Sequence, residues 1–283
     1  MLFRPLELSD RVWIEKCRNA DVQPFSALTF PSLLTWAETY GMTIGGDEDF
    51  YVIRSQHDKA YYMPCGREDK CAAFMEETAR TERPARFVYA TETQAEALEK
   101  RGWKHLYRAD LSEYILSTPA LALSPGFPVT HSFRYKCRHF SKISPYTVRE
   151  ISFEDEPRLR KIAADAALPS APVGPGDELV LSFELSHLRE LGFRGVLVET
   201  EEGPAAFFLG YERDPKIFTL TMFRREELIS PDVIAVCIHE FAKVLLPQYP
   251  LIDIEEDLGL DGLRREKTLL SPVDLLKVYE VLK

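Results

Sequence analysis

The order of predicted elements constrains this chain more than any single motif does, because one run of elements is legible twice. In the first half, β-rich runs from Phe50 to Arg54 and from Ala60 to Met63 flank a polar turn as a hairpin. Pro64-Cys65-Gly66 then leads into a helix carrying Ala72, Ala73, Phe74 and Met75, followed by a short strand from Arg86 to Tyr89. Thr93 is the expected cap of the next helix, Gly102 its stop, and Trp103 to Tyr107 resumes as a strand. Two helices precede this run, one capped by Ser9 and reaching about Asn19, the other opened by Pro31 and turning Leu33, Leu34 and Trp36 inward.

The second half repeats the order with different residues. Asp177-Glu178 starts a helix reaching about Leu191, with Gly192 as its stop. Gly195 to Thr200 and Pro204 to Tyr211 form a hairpin, and Lys216 to Met222 supplies a third strand. Ser230-Pro231 opens a helix whose apolar stripe includes Val233, Val236, Cys237, Phe241 and Leu245, and Leu251 to Ile254 is the next strand. Hairpin, helix, strand, helix, strand, read twice, points to duplication of one α/β unit with mixed sheets flanked by helices, although no residue-level repeat is visible. Pro119 to Pro128, with three prolines and a glycine, marks the expected boundary, giving domains over residues 1–120 and 121–283. At about 150 residues per domain, 283 residues fit two. A second such stretch, Pro169 to Gly176, reads as a plain loop or a covering lid, the plain loop being the commoner case.

The net charge of −10 argues against a general affinity for nucleic acid or anionic membrane unless basic residues cluster locally. No apolar stretch approaches the roughly 20 residues that cross a bilayer, so a cytoplasmic protein without a membrane span is expected. The five cysteines form no CxxC pair and read as reduced, mostly buried thiols. His239-Glu240 continues as Phe241-Ala242-Lys243, so HExxH is incomplete, and the six histidines have no metal-like spacing. No metal site is expected. With GxSxG, GxxxxGK[ST] and GxGxxG also missing, hydrolases, kinases and dinucleotide enzymes of the common types are disfavoured.

Two segments concentrate charge. Gly126 to Arg149 holds Arg134, Lys136, Arg138, Lys142 and Arg149 without one Asp or Glu. In a strand the cations at 134, 136 and 138 share a face; in a helix they spread around the axis, and either way they offer donors to a phosphate or carboxylate. A solvated basic face is the plain alternative. Asp253 to Lys267 sets Asp253, Glu255, Glu256 and Asp257 at the end of a strand, where mutual repulsion demands nearby cations or raised pKa values. Arg264 and Lys267, three apart, share a helical face and can supply those cations. A structural ion network fastening the last helix is the alternative there.

This second segment resembles the signature of the family named for the C-terminal domain of phosphatidylglycerol lysyltransferase, approximately N-x-E-E-D-x-G-x-x-G-L-R-x-x-K. Glu255, Glu256, Asp257, Gly259, Gly262, Leu263, Arg264 and Lys267 fit it, as do Pro272 and Lys277 in its tail. The likeness extends to Leu28 through Trp36, Met63 to Gly66 and Leu191 to Gly195. It implies two tandem acyltransferase domains of the GNAT type, and Glu96 to Tyr107 resembles the helix and Gly-aromatic turn of such a domain. Asp253 stands where the family usually has Asn, and Lys136-Cys137-Arg138 replaces a Lys-Arg-Asn run, keeping only Lys136. The GNAT pyrophosphate loop, [QR]-x-x-G-x-[GA], is missing before both candidate helices; Arg224-Arg225 precedes the second without glycines that let backbone N–H groups reach a pyrophosphate.

The resulting expectation is a monomeric GNAT-like aminoacyl- or acyltransferase, with an acyl-CoA or an aminoacyl-tRNA as donor and a small molecule or peptide as acceptor. Glu255, Glu256 or Asp257 would supply the base or hold an acceptor amine. Arg134, Lys136, Arg138, Arg224, Arg225 and Arg264 would bind substrate, with Lys267 neutralising the carboxylates. The rival expectation is a catalytically silent tandem fold that binds a small acidic ligand, a peptide or nucleic acid.

Overall fold

The computed structural model describes residues 1–21, 23–166 and 177–283. Its first part runs β1 (Arg4–Pro5), α1 (Arg11–Ala20), α2 (Phe30–Trp36), β2 (Met42–Asp47), β3 (Phe50–Ser55), β4 (Ala60–Tyr62), β5 (Cys65–Gly66), α3 (Glu68–Thr81), β6 (Arg86–Ala90), α4 (Glu92–Glu99) and β7 (Lys104–Ser117). There follow α5 (Thr118–Leu121), α6 (His131–Ile143), β8 (Tyr146–Glu150), α7 (Glu156–Ala164), α8 (Asp177–Ser186), β9 (Arg194–Thr200), β10 (Gly203–Asp214), β11 (Ile217–Arg225), α9 (Val233–Leu245), β12 (Leu251–Asp253), α10 (Asp261–Thr268) and β13 (Asp274–Leu282).

The chain divides into two units, Met1–Glu113 with Leu276–Lys283, and Tyr114–Leu275. The division falls inside β7 rather than in the proline-rich stretch, and the last eight residues return to the first unit. The physical reason is pairing. β13 lies antiparallel to β6, Ala85 and Lys283 exchange backbone hydrogen bonds at 3.0 and 3.1 Å, and Val281 completes a core with Phe87, Trp103, Met75 and Leu98.

Within the first unit, β1, β2, β3 and β4 pair in succession as antiparallel neighbours, and β4 lies parallel to β6 with α3 as the crossover. The second unit repeats this plan. β8, β9, β10 and β11 are antiparallel in succession, and β11 lies parallel to β12 with α9 as the crossover. A parallel pair needs such a crossover, and the buried face of α9 (Val233, Val236, Phe241, Leu245) closes it over Phe218, Val196, Val198 and Ile252. Gly210 has a positional reason: a Cβ there would lie 2.1 Å from the Thr219 carbonyl oxygen, beside a register shift in the β10–β11 ladder.

Several local expectations shift. The cap of α4 is Thr91, not Thr93: its Oγ1 accepts the Gln94 N–H at 3.2 Å while Gln94 accepts the Thr91 N–H at 2.9 Å, a reciprocal box that starts the helix at Glu92 and leaves Thr93 within its first turn. α9 begins at Val233, because the turn from Ser230 is closed by tighter three-residue bonds. α8 ends at Ser186, with Gly192 in the left-handed region at φ 72°. β2 escapes the sequence reading because Gly45 and Gly46 interrupt its β-rich pattern. The basic run from Phe133 to Phe140 is helical, within α6. The Pro169 to Gly176 stretch lies outside the described residues.

Candidate active site

The acidic motif leaves β12 inside the second unit. Asp253 is fully buried; its Oδ2 accepts from Arg213 Nη1 at 2.9 Å and its Oδ1 accepts the Glu255 N–H at 2.8 Å. That last bond holds Glu255 in the left-handed region at φ 59°, an uncommon state for a non-glycine residue that turns the chain sharply out of the sheet. Tyr114, where β7 enters this unit, pins the turn from the other side. Its N–H donates to Glu255 O at 3.2 Å and its carbonyl accepts from Ile254 N–H at 3.1 Å.

Asp257 sits at the centre of the next turn, fully buried. Its Oδ2 accepts from the Tyr114 hydroxyl at 2.7 Å and Arg264 Nε at 2.8 Å; its Oδ1 accepts from Gly259 N–H at 2.8 Å and Arg264 Nη2 at 3.1 Å. Burial by itself would raise this carboxyl, but those donors together outweigh it and hold Asp257 below the usual carboxylate range. A carboxylate with four donors is a poor proton acceptor, and these bonds tie Tyr114, Gly259 and Arg264 to one point.

Glu255 and Glu256 have the opposite environment. Each keeps part of its surface toward solvent, yet dense surroundings push both upward, Glu255 well above its ordinary value. Burial is the main cause for both, the neighbouring Glu256 adds to it at Glu255, and Lys267 opposes it. Lys267 extends from α10 under the turn, donates to the carbonyls of Ile254 and Glu256, and sits 5.9 Å from the centre of the Tyr114 ring. Burial lowers its own pKa against the pull of those acids. Two carboxyls that ionise reluctantly, beside a half-buried ammonium, are suited to exchanging a proton and to gripping a substrate ammonium.

Residues 20–281 match the family described as phosphatidylglycerol lysyltransferase, C-terminal. The chain belongs to that family. Among solved structures it is similar to a conserved protein of unknown function from Bacteroides thetaiotaomicron, with a TM-score of 0.83 and 23% identity over 99% of this chain and 98% of that one. It is also similar to L-PGS from Bacillus licheniformis (TM-score 0.62, 14% identity, 89% of this chain and 87% of that chain). A third likeness is to FemX (TM-score 0.58, 10% identity, 99% and 97%). A comparison with curated proteins finds none that matches. The fold is therefore shared with L-PGS and FemX, a mixed α/β architecture in which two units repeat one plan of strands flanked by helices, and no helix among the described residues is long and apolar enough to cross a membrane.

Other residues expected at the site of this lysyltransferase-family chain fall in different places. Lys136 joins the motif, with Nζ 2.7 Å from Glu266 of α10. Arg134, Arg138 and Lys142 stand exposed at four-residue spacing along one stripe of α6, while Phe133, Cys137 and Phe140 are buried; of the cations at 134, 136 and 138, helical periodicity sets Lys136 apart and aligns the other two with Lys142. Arg149 is engaged by Asp155 at 2.6 Å. Arg225 donates to the carbonyls of Glu226, Glu227 and Ile229, at 3.0, 2.9 and 2.7 Å, and staples a loop. Arg224 donates to Phe223 O at 2.8 Å. Tyr114 and Arg213 were missed: each lies in an ordinary strand pattern, and only the fold brings them to the motif. Asp253 was noticed as an exception to the family's Asn, and Arg213 is the cation that balances its extra charge.

Proposed function

We propose that the protein is an aminoacyltransferase: it moves an aminoacyl group from an ester donor of the aminoacyl-tRNA kind to an amine or hydroxyl acceptor. The observation that carries this reading is the pairing of Glu255 and Glu256, raised by burial, with Lys267 beside a fixed Asp257–Arg264 pair. One glutamate would hold the ammonium of the amino acid. The other would take the proton from the acceptor as its nitrogen or oxygen bonds to the acyl carbon; the ester C–O bond then breaks, and the leaving hydroxyl recovers a proton. Family membership supports acyl transfer, and the exposed cations of α6 support a donor that carries phosphates. An acyl-CoA donor has weaker support, because Arg224-Arg225 engages backbone carbonyls and no glycine-rich loop follows it.

Purified protein should be assayed with charged tRNA and with acyl-CoA donors against a panel of amine and hydroxyl acceptors. Transfer from charged tRNA is expected to fall about 100-fold or more in Glu256→Gln, with unchanged melting. Binding of an acidic ligand or peptide with no turnover from any donor would instead favour the silent binding protein.

A further inference from the structure

The first unit holds a cavity that this chemistry does not use. It measures about 690 Å³ and lies among α1, α3, α4 and the loop from Met63 to Arg67, within the roughly 300–1,000 Å³ range of small-ligand pockets. Its apolar wall is rich in sulfur, with Cys17, Cys71, Met63 and Met75 beside Leu98. Burial pushes the Cys71 thiol up to about 12 and raises Cys17 as well, so at neutral pH these sulfurs serve mainly as adaptable apolar surface, and Cys71, the one that is not fully buried, reacts with alkylating agents only slowly.

The rim carries three cations and four carboxylates, and several are engaged with each other. Arg67 meets Asp49 at 3.2 Å, and Arg101 meets Glu76 at 2.9 Å. Two charges on and just beyond α1 differ. Lys16 Nζ donates to the Glu48 carbonyl at 2.9 Å and forms no ion pair among the described residues. Asp21 receives only the Gln23 amide at 3.0 Å and the Gly66 N–H at 3.4 Å, both on Oδ2, and has no cation among the described residues. Glu68, exposed at the rim, leaves it net acidic, which disfavours a phosphorylated ligand. Lys16, on α1, and Asp21, just past its end, both line the cavity, so one small ligand with a charge of each sign at its ends can address both.

We propose that this cavity binds a short apolar peptide with free termini, its carboxylate on Lys16, its ammonium on Asp21 and its side chains against the sulfur-lined wall. The inference does not rest on the transferase reading, because it concerns the first unit and a binding equilibrium. Calorimetry on the full chain should compare Leu-Met with its N-acetyl and C-amide forms, free leucine and coenzyme A, while Cys71 alkylation followed by mass spectrometry locates the ligand. The free dipeptide should bind, protect Cys71 and exceed each blocked form by about tenfold or more. Lys16→Gln should erase the difference between peptide and amide, and Asp21→Asn that between peptide and N-acetyl peptide. Tighter binding by free leucine would reassign the pocket to a single amino acid and overturn the peptide proposal. Equal binding of free and blocked peptides, no binding at millimolar peptide, binding without Cys71 protection, or protection by coenzyme A equal to that by the peptide would overturn it as well. The comparison of blocked and free peptides on the wild-type chain decides the matter even where a variant fails to fold.

Discussion

Each unit sets two carboxylates against one lysine, and the two clusters titrate in opposite directions. In the first unit Lys70 reaches Asp47 and Asp49, each at 2.8 Å, on the surface. The lysine's hydrogen bonds lower both acids, and their bonds to it raise Lys70. In the second unit Glu255 and Glu256 are raised and Lys267 is lowered, burial being the largest cause each time. Composition is alike in the two places; solvent decides the sign, because desolvation penalises every charge while a contact ion pair favours two. A surface cluster of the first kind contributes little, whereas the second stores the reluctance to ionise that proton transfer needs.

The comparison can be broken most sharply at the lysines. Lys267→Met removes the cation from a half-buried cluster and leaves the Ile254 and Glu256 carbonyls without their donor, which should cost about 2 kcal/mol, lowering the melting midpoint by roughly 4–8 °C. The loss should shrink as pH falls toward the ordinary carboxylate range and the two glutamates take up protons; an undiminished loss in acid would mean that Lys267 acts through packing alone. A smaller effect is expected from Glu255→Gln. The folded pKa of Glu255 lies above its ordinary 4.5, so the unfolded chain ionises first and wild-type stability falls as pH rises from there toward the folded value. The variant lacks that decline, and its melting advantage over wild type should widen as pH rises above about 4.5; parallel curves would remove burial as the cause.

Asp47→Asn should change least. The folded pKa of Asp47 lies below its ordinary 3.8, so its contribution is present above that value and is lost as pH falls through the folded one. The variant should melt only slightly below wild type at pH 7, and that small gap should close on the acid limb as the wild-type carboxylate takes up its proton; Lys70→Met should cost as little at pH 7. A loss at neutral pH matching that of Lys267→Met would show that exposure does not separate the clusters.

Much of this architecture was legible in periodicity: the hairpin from Phe50, the strands around Glu201-Glu202-Gly203 and the α9 stripe follow from local chemistry. Gly45-Gly46 hid β2, and the tight turn at Ser230 hid the true start of α9, because caps and tight turns depend on which neighbouring groups are free to bond. At the candidate site, Glu255, Glu256, Asp257, Arg264 and Lys267 were all visible as charges in one run. Their separation into a fixed Asp257 and two reluctant glutamates was not, since it depends on Tyr114, 143 positions away from Asp257, and on the depth of each side chain.

By itself the sequence determined the repeated α/β order, the family motif and the presence of opposite charges within the single run from Asp253 to Lys267, all of which are set by spacing along the chain. Only the tertiary structure decided that β13 returns to the first unit, that Arg213 balances Asp253 and that Arg225 staples a loop. It also decided which acids give up solvent. Burial and hydrogen bonding are properties of what packs around a residue, and residues far apart in the chain do that packing.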